Sequence, residues 1–315
     1  MTDDLVTIHP SKLPPTVPMS EFLIRPTDGV TVGADPDRAG WRYLSFRALA
    51  LAEGETVRLA HPDQEAIVIT ISGGGIGIDY AAAASMDLPG RSSVFAGLPW
   101  TAYIPPGSGA RIVGRPWDSG GRSVIAYAQT PASGREGTSL VPVLIGPDDV
   151  QIEVRGAGQV TRQITNIVMP GFPADRLLCC EVYTPAANWS GWPPHKHDVD
   201  DMPYEAVLEE TYYYQISRPE GWGIARVYFR DGRPDGLWAV RNGDLLLVTE
   251  GYHPFAANQG YDAYYLNFLA GDRRTMQASD DPDIAWIRET WKTMERDPRV
   301  PLVTGAETPT RAGGS

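Results

Sequence analysis

Pro193-Pro194-His195-Lys196-His197-Asp198 is the stretch on which the fold and the chemistry of this chain turn. Side chains two apart on a strand share a face, so a strand holding His195 and His197 aims two imidazoles at one point. Prolines before the pair and acidic residues after it bound one short strand. Leu208 to Ile216 reads as the next strand, with Glu210, Tyr212 and Tyr214 on one face and Glu209, Thr211 and Tyr213 on the other. Gly243-Asp244 then opens a buried strand, Leu245-Leu246-Leu247-Val248, which leads to the turn Gly251-Tyr252-His253-Pro254. The chain has five histidines, and three fall in this constellation. An isolated pair of histidines two apart is usually an ordinary surface or hydrogen-bonded pair. Here a carboxylate from the next strand and a later imidazole would complete a set of three histidines and one carboxylate. Such a set suits Zn, Fe, Mn, Ni or Co. Strand pattern alone leaves Glu209 and Glu210 both open as the carboxylate.

The rest of the composition narrows the class. At 315 residues there is room for two domains. A formal charge of −12 argues against a nucleic-acid partner, which requires a basic face. No run of 18 apolar residues suggests a membrane span, and the acidic start Met1-Thr2-Asp3-Asp4 lacks the apolar core of a secretion signal. Cys179 and Cys180 are adjacent, lie in an apolar strand and read as small core residues, which suits a reducing cytoplasm. Asn188-Trp189-Ser190 matches a glycosylation sequon, but that carries no weight without a secretion signal.

With 33 glycines and 28 prolines separating short β-branched and aromatic runs, the pattern is all-β. Strands are predicted at 41–51, 56–59, 65–72, 75–80, 93–96, 101–104, 109–115 and 122–129. A second set is predicted at 162–167, 177–184, 195–197, 208–216, 223–229, 236–240, 245–249, 253–257 and 262–270. Residues 81–91 and 130–140 read as loops. Eight or so strands per set predict two tandem jelly-roll β-barrels, over 1–150 and 151–300. One short C-terminal helix is expected, with Asp281 as N-cap, Pro282 in its first turn, Ile284, Ile287 and Trp291 on one face, and an end near Arg296. Residues 301–315 are expected to be a disordered tail. Gln64–Ile69 aligns with Leu208–Tyr213. The first unit has no histidine pair before Glu65, and His61 stands alone, so this barrel is expected to hold no metal and to serve as structure or as a wall of the site.

These motifs together resemble the cupin superfamily and, more closely, the 5-deoxy-glucuronate isomerases of myo-inositol catabolism, the IolB branch of the KduI/IolB isomerases. The residues that carry the likeness are the histidine stretch, Leu208–Tyr214, Val240-Arg241-Asn242-Gly243-Asp244, Gly251–Pro254 and Tyr261–Asn267. Ala39-Gly40-Trp41, Leu144–Val150 and Thr161-Arg162-Gln163 extend it over nearly the whole chain. The group is also similar to the 4-deoxy-L-threo-5-hexosulose-uronate isomerases of pectin breakdown, bicupins with zinc on three histidines and one glutamate. The resemblance implies a bicupin with one divalent metal on His195, His197, Glu210 and His253. Zinc is the first expectation, with Mn, Fe or Ni behind it. The chain departs from the family at Thr249, where a proline is usual, and at Glu250, where a basic residue is common.

The implied reaction converts 5-deoxy-D-glucuronate to 5-dehydro-2-deoxy-D-gluconate, an aldose–ketose isomerisation that moves a proton from C2 to C1. A metal would stabilise the developing oxyanion, and a base is needed. Tyr212 and Tyr214 are the candidates on the inward face, with Glu209 and Asp198 behind them on strand parity. Arginine suits the substrate carboxylate, and Arg162, Arg226 and Arg241 are the candidates, Arg162 foremost. Lys196 should point away from the metal. The partners implied are a small sugar acid and further copies of the chain, in the cytoplasm, with no nucleic acid and no membrane. A related uronate isomerase, a cupin dioxygenase using iron, and a non-catalytic sugar-acid-binding cupin are the alternatives.

Overall fold

The computed structural model describes residues 18–59, 63–80, 84–117 and 121–307. His61 and residues 308–315 lie outside the described residues.

Two units of similar build follow one another. In the first, a six-stranded antiparallel sheet runs in the order 143–145, 101–104, 64–72, 123–131, 45–51, 32–34. Its companion is a four-stranded sheet, 56–58, 110–114, 75–80, 84–89. In the second, a seven-stranded sheet is ordered 23–24, 245–248, 209–216, 263–270, 178–184, 162–168, 151–155, and its companion is ordered 189–190, 255–257, 223–227, 236–240. This pairing of sheets in each unit is the all-β jelly-roll arrangement expected from the sequence. The first unit's sequence also lends an edge strand to the second. Leu23–Ile24 pairs with Leu245–Leu246 of the second unit, so the first unit's sequence range does not close on itself.

Strand alternation divides the long sheets into two faces. Phe46, Ala48, Ile67 and Ile69 enter one core with Tyr213, Leu266 and Phe268, between the two units. Leu51, Ala66, Val68 and Ile125 fill the interior of the first unit. Tyr212, Tyr214, Val182 and Tyr265 line the interior of the second. The inter-unit core also holds a buried ion pair, Arg91 Nη2 to Glu181 Oε1 at 2.5 Å. Tyr183 and Tyr264 donate hydroxyls to the same carboxylate at 3.0 and 2.8 Å, which satisfies the oxygens that burial would otherwise leave bare.

Four expectations need correction. Ala84–Pro89, read as loop, is a strand paired with Gly75–Tyr80. Residues 93–96 form a turn rather than a strand, closed by Ala96 N–H to the Ser93 carbonyl. Gln151–Arg155, not foreseen, is the edge strand on Arg162–Asn166. The C-terminal helix is one turn, Ile287–Thr290. Asp281 does turn the chain, accepting from the Asp283 N–H at 3.0 Å. The bonds that follow are i to i−3, from Ile287 to Ile284 and from Arg288 to Ala285, and they wind tight successive turns in place of a long helix. The expected disorder from 301 is also not seen up to 307. Val303 is buried, its carbonyl accepts from Gln163 at 2.7 Å, and the Gly305 carbonyl accepts from the Leu98 N–H.

Candidate metal centre

His195 and Lys196 form a two-residue strand paired with Ser279–Asp280, and His197 follows it. Lys196 turns outward, its Nζ 2.6 Å from Asp198 and 2.8 Å from Glu205, as the alternation demands. The next strand, Glu209–Ile216, brings Glu210 in from the adjoining position. The turn at Gly251 brings His253. Gly251 has φ +84°, and a Cβ there would come within 2.7 Å of the Phe229 ring, so both conformation and space require glycine. Asp198 accepts from the Gly251 N–H at 2.9 Å, and Glu250 pairs with Arg233 at 2.9 Å. The turn is therefore pinned on both sides without the family's proline or its basic residue.

Donor atoms of His197, Glu210 and His253 lie within 4.8 Å of one another, all buried. His195 is outside that trio, but its ring lies 4.7 Å from the His253 ring and 6.5 Å from that of His197, centre to centre. The imidazoles are oriented from behind. The His197 Nδ1 is 2.9 Å from the Leu208 carbonyl, and the His253 Nδ1 is 2.8 Å from the Gly251 carbonyl. Each carbonyl accepts from Nδ1–H and so turns Nε2 toward the cluster. The His197 Nε2 sits 2.9 Å from Glu210 Oε2, and the His253 Nε2 is buried with no hydrogen-bond partner. Burial, then the neighbouring His253 and His197, hold the His195 pKa well below the usual value. Burial and His197 bring His253 down to about 4. For His197 burial also opposes charge, but the bond to Glu210 outweighs it and the pKa is raised. Converging imidazoles, one carboxylate and one orphaned buried nitrogen form a donor set that fits a divalent cation.

The cluster opens on a cavity of about 190 Å³ in the second unit. Asn267 holds Glu210 in place, donating Nδ2–H to Oε1 at 2.6 Å. Tyr212 lines the cavity and stacks on Tyr265, ring centres 4.4 Å apart. Three guanidinium groups line it too: Arg155, Arg162 and Arg288. Arg155 pairs with Glu153 and Arg288 with Asp280. Arg162 is 5% exposed and, among the described residues, has no carboxylate partner. Burial lowers its pKa to about 10, so it stays charged at neutral pH.

The chain matches the KduI/IolB family over residues 22–287. It belongs to that family. It is 38% identical over 278 residues to the 5-deoxy-glucuronate isomerase of Geobacillus thermodenitrificans, covering 86% of this chain and 97% of that one. It is 34% identical over 280 residues to the like-named protein of Halalkalibacterium halodurans, covering 86% of this chain and 100% of the relative. Among solved structures, an IolB-like protein of Salmonella typhimurium superposes with a TM-score of 0.77 at 33% identity, covering 84% of this chain and 98% of that one. Lactobacillus farciminis oxalate decarboxylase superposes at 0.56 with 10% identity, over 87% of this chain and 93% of that one, a likeness of cupin-type fold alone.

Several expected site residues lie elsewhere in this KduI/IolB fold. Glu209 faces the inter-unit core, where its carboxylate accepts from the N–H groups of Arg42, Tyr43 and Leu44 at 2.6, 3.0 and 2.8 Å. It does not reach the cavity, because alternation sends it opposite to Glu210. Arg226 is paired with Asp235 at 2.5 Å on the outer sheet. Arg241 is exposed in the turn before Asp244. Neither lines the cavity. Tyr214 is fully buried beneath Tyr212, its hydroxyl unpartnered. Cys180, read as core filler, lines the cavity, with burial raising its pKa to about 12. The sequon Asn188 is 2% exposed and bonded to the Thr161 carbonyl and to Asp297, so it is no glycan acceptor in this fold.

Asn267, Tyr265 and Arg155 were missed. The parity of Tyr265 and Asn267 on one strand was the available signal. Arg155 ends the short strand Gln151–Arg155, whose alternation of Ile152 and Val154 with polar residues was the available signal.

Proposed function

We propose that this protein is a metal-dependent 5-deoxy-glucuronate isomerase, converting 5-deoxy-D-glucuronate to 5-dehydro-2-deoxy-D-gluconate. The observation that carries the reading is one cavity lined by two kinds of group: His195, His197 and Glu210 of the histidine cluster, with His253 beside them, and the buried Arg162, which has no carboxylate partner among the described residues. A uronate offers a reacting carbonyl and a carboxylate, and these groups suit the two. The curated relatives named as this isomerase span nearly their full lengths on the chain.

His195, His197, Glu210 and His253 would hold the metal, zinc in first place. When bound it supplies Lewis-acid stabilisation of negative charge on the substrate's carbonyl and neighbouring hydroxyl oxygens. Arg162 orients the substrate through a forked pair of hydrogen bonds to the carboxylate. Asn267 holds Glu210 as a ligand and keeps it from acting as a free base. Tyr212 is the hydroxyl on the cavity wall placed to hold or pass a proton. Burial and the nearby Glu210 carboxylate keep its pKa well above the usual value, so it serves as a proton donor and relay. A place in myo-inositol catabolism and a cytoplasmic setting follow from the same reading.

The deciding experiment is incubation of the metal-analysed protein with 5-deoxy-glucuronate under strict exclusion of oxygen. Ketose formation and loss of activity on chelation are expected. A requirement for oxygen, or no turnover by fully metallated protein, would overturn the assignment.

A further inference from the structure

The first unit has a cavity of its own, about 720 Å³, open at the mouth of its barrel face. Its position corresponds to that of the metal cavity. Arg47 pairs across the sheet with Tyr127, and Tyr127 with Val68. In the second unit Cys180 pairs with Asn267, and Asn267 with Tyr212. Arg47 therefore stands where Cys180 stands, and Tyr127 where Asn267 stands.

The chemistry of this cavity differs from that of the metal centre. Arg25, Arg38, Arg47 and Arg58 line it against a single carboxylate, Asp35. Asp35 is already engaged, accepting from the Arg38 N–H at 2.9 Å. Arg25 is paired with Asp244. Among the described residues Arg38, Arg47 and Arg58 have no carboxylate partner. That is unusual in a chain with 39 acidic residues against 27 basic ones, where Arg111, Arg122 and Arg226 each hold a carboxylate within 2.8 Å. Two uncharged donors are built into the floor. Gln129 and Tyr127 are each 7% exposed, line the cavity, and make no side-chain hydrogen bond among the described residues. Tyr127 has its pKa raised by burial, with the Arg47 charge opposing, which places the guanidinium beside the phenol.

Buried polar side chains are almost always satisfied, by protein, water or ligand. Guanidinium groups without carboxylate partners, beside an amide and a phenol that have no protein partner among the described residues, select an acceptor with several oxygens and more than one negative charge. We propose that the first unit binds a small, multiply charged oxyanion, of the phosphate-ester or polycarboxylate class, on Arg47, Arg58, Tyr127 and Gln129. A long polyanion such as nucleic acid is disfavoured by the net charge of −12.

The test is calorimetric titration of the full-length protein with inorganic phosphate and with citrate at low salt. Saturable binding of at least one of them is expected. Phosphate alone would point to a phosphate ester, and citrate alone to a polycarboxylate. The Arg47→Glu/Arg58→Glu variant should weaken that binding by at least about tenfold, since two charge-assisted contacts are replaced by repulsion. Both arginines are exposed, so circular dichroism should show an unchanged fold. Tyr127→Phe keeps the ring and should weaken binding severalfold. Arg162→Gln, in the other cavity, should leave it unchanged. No saturation by either ion at millimolar concentration, undiminished binding in the charge-reversed variant, or loss in Arg162→Gln would each overturn the proposal.

Discussion

The two units place a glutamate at the same strand position and use it the same way, yet differ completely one residue later. Glu65 accepts from the N–H groups of Asp175, Arg176 and Leu177 at 2.8, 2.6 and 2.7 Å, the segment entering the second unit's strand Leu178–Thr184. Glu209 accepts from the N–H groups of Arg42, Tyr43 and Leu44, the segment entering the first unit's strand Ser45–Leu51. Each unit thus grips the other's backbone through one buried carboxylate. The next residue turns into the barrel interior, and there the first unit has Ala66 and the second Glu210. The comparison separates two tasks. The face between the units carries what both need in order to assemble, while the interior faces were free to diverge, one into a donor set that fits a divalent cation and one into an arginine-lined cavity.

The largest expected effect is on the side that diverged. His197→Ala should remove most bound metal and cost activity by more than the roughly 10–100-fold that follows loss of a residue merely supporting a ligand. Metal analysis of the purified variant checks this, and full metal content would show that the donor set is wrong. Glu65→Ala probes the shared side. It strands three backbone N–H groups and the hydroxyls of Tyr103 and Thr130, which also donate to this carboxylate at 2.8 and 3.1 Å. A loss of about 3–5 kcal/mol in stability is expected from bonds of this kind. The protein that does fold should keep its metal. A metal-depleted but equally stable Glu65→Ala protein would reverse the comparison.

Asn267→Ala sharpens the contrast within the second unit. It removes the 2.6 Å bond to Glu210 Oε1 and leaves every proposed ligand in place. Metal affinity should fall about 10–100-fold, with competitive chelation as the measurement. Its counterpart Tyr127→Phe, in the first unit, should leave metal affinity unchanged. Equal metal loss in both variants would mean that the two interiors are coupled rather than independent.

The sequence was most legible where period and chemistry coincide. Glu210, Tyr212 and the histidine stretch lie on strands whose alternation is sharp, so their shared face could be read directly. The same parity ranked Glu209 behind Tyr212 and Tyr214 as a proton-transfer candidate, and the structure gives it a different partner across the unit boundary. That partner was not readable, because a carboxylate binding N–H groups 167 residues away leaves no local pattern. Arg226 and Arg241 show the limit for isolated charges: nothing in the sequence distinguishes an arginine paired with Asp235 from one that lines a cavity. The C-terminal helix failed because Asp281 looks like an N-cap while its carboxylate is also bound by the Tyr228 hydroxyl at 2.5 Å, a tertiary contact that competes with regular capping. The strand Gln151–Arg155 alternates polar and apolar residues, and Ile152 packs on the inter-unit core, so its signal was present; five half-exposed residues at a sheet edge are a short run that was passed over as a connection.

The smallest expected effect isolates the clamp from the chemistry. Glu209→Gln conserves volume and leaves Glu210, the histidines and Asn267 untouched. An amide oxygen still accepts from two of the three N–H groups, but the amide NH₂ meets the third donor, and the charge that strengthened all three bonds is gone. The loss should be about 1–3 kcal/mol, the worth of one or two charge-assisted hydrogen bonds. Thermal denaturation should therefore shift down by a few degrees, by about 2–4 °C per kcal/mol for a chain of this size or smaller. Metal content, the Michaelis constant and turnover should be those of the parent protein. A variant that is as stable as the parent and fully metallated yet inactive would put Glu209 into proton transfer. Glu209 would then have to reach the cavity from the opposite face of its strand, and the parity on which the whole site rests would fail.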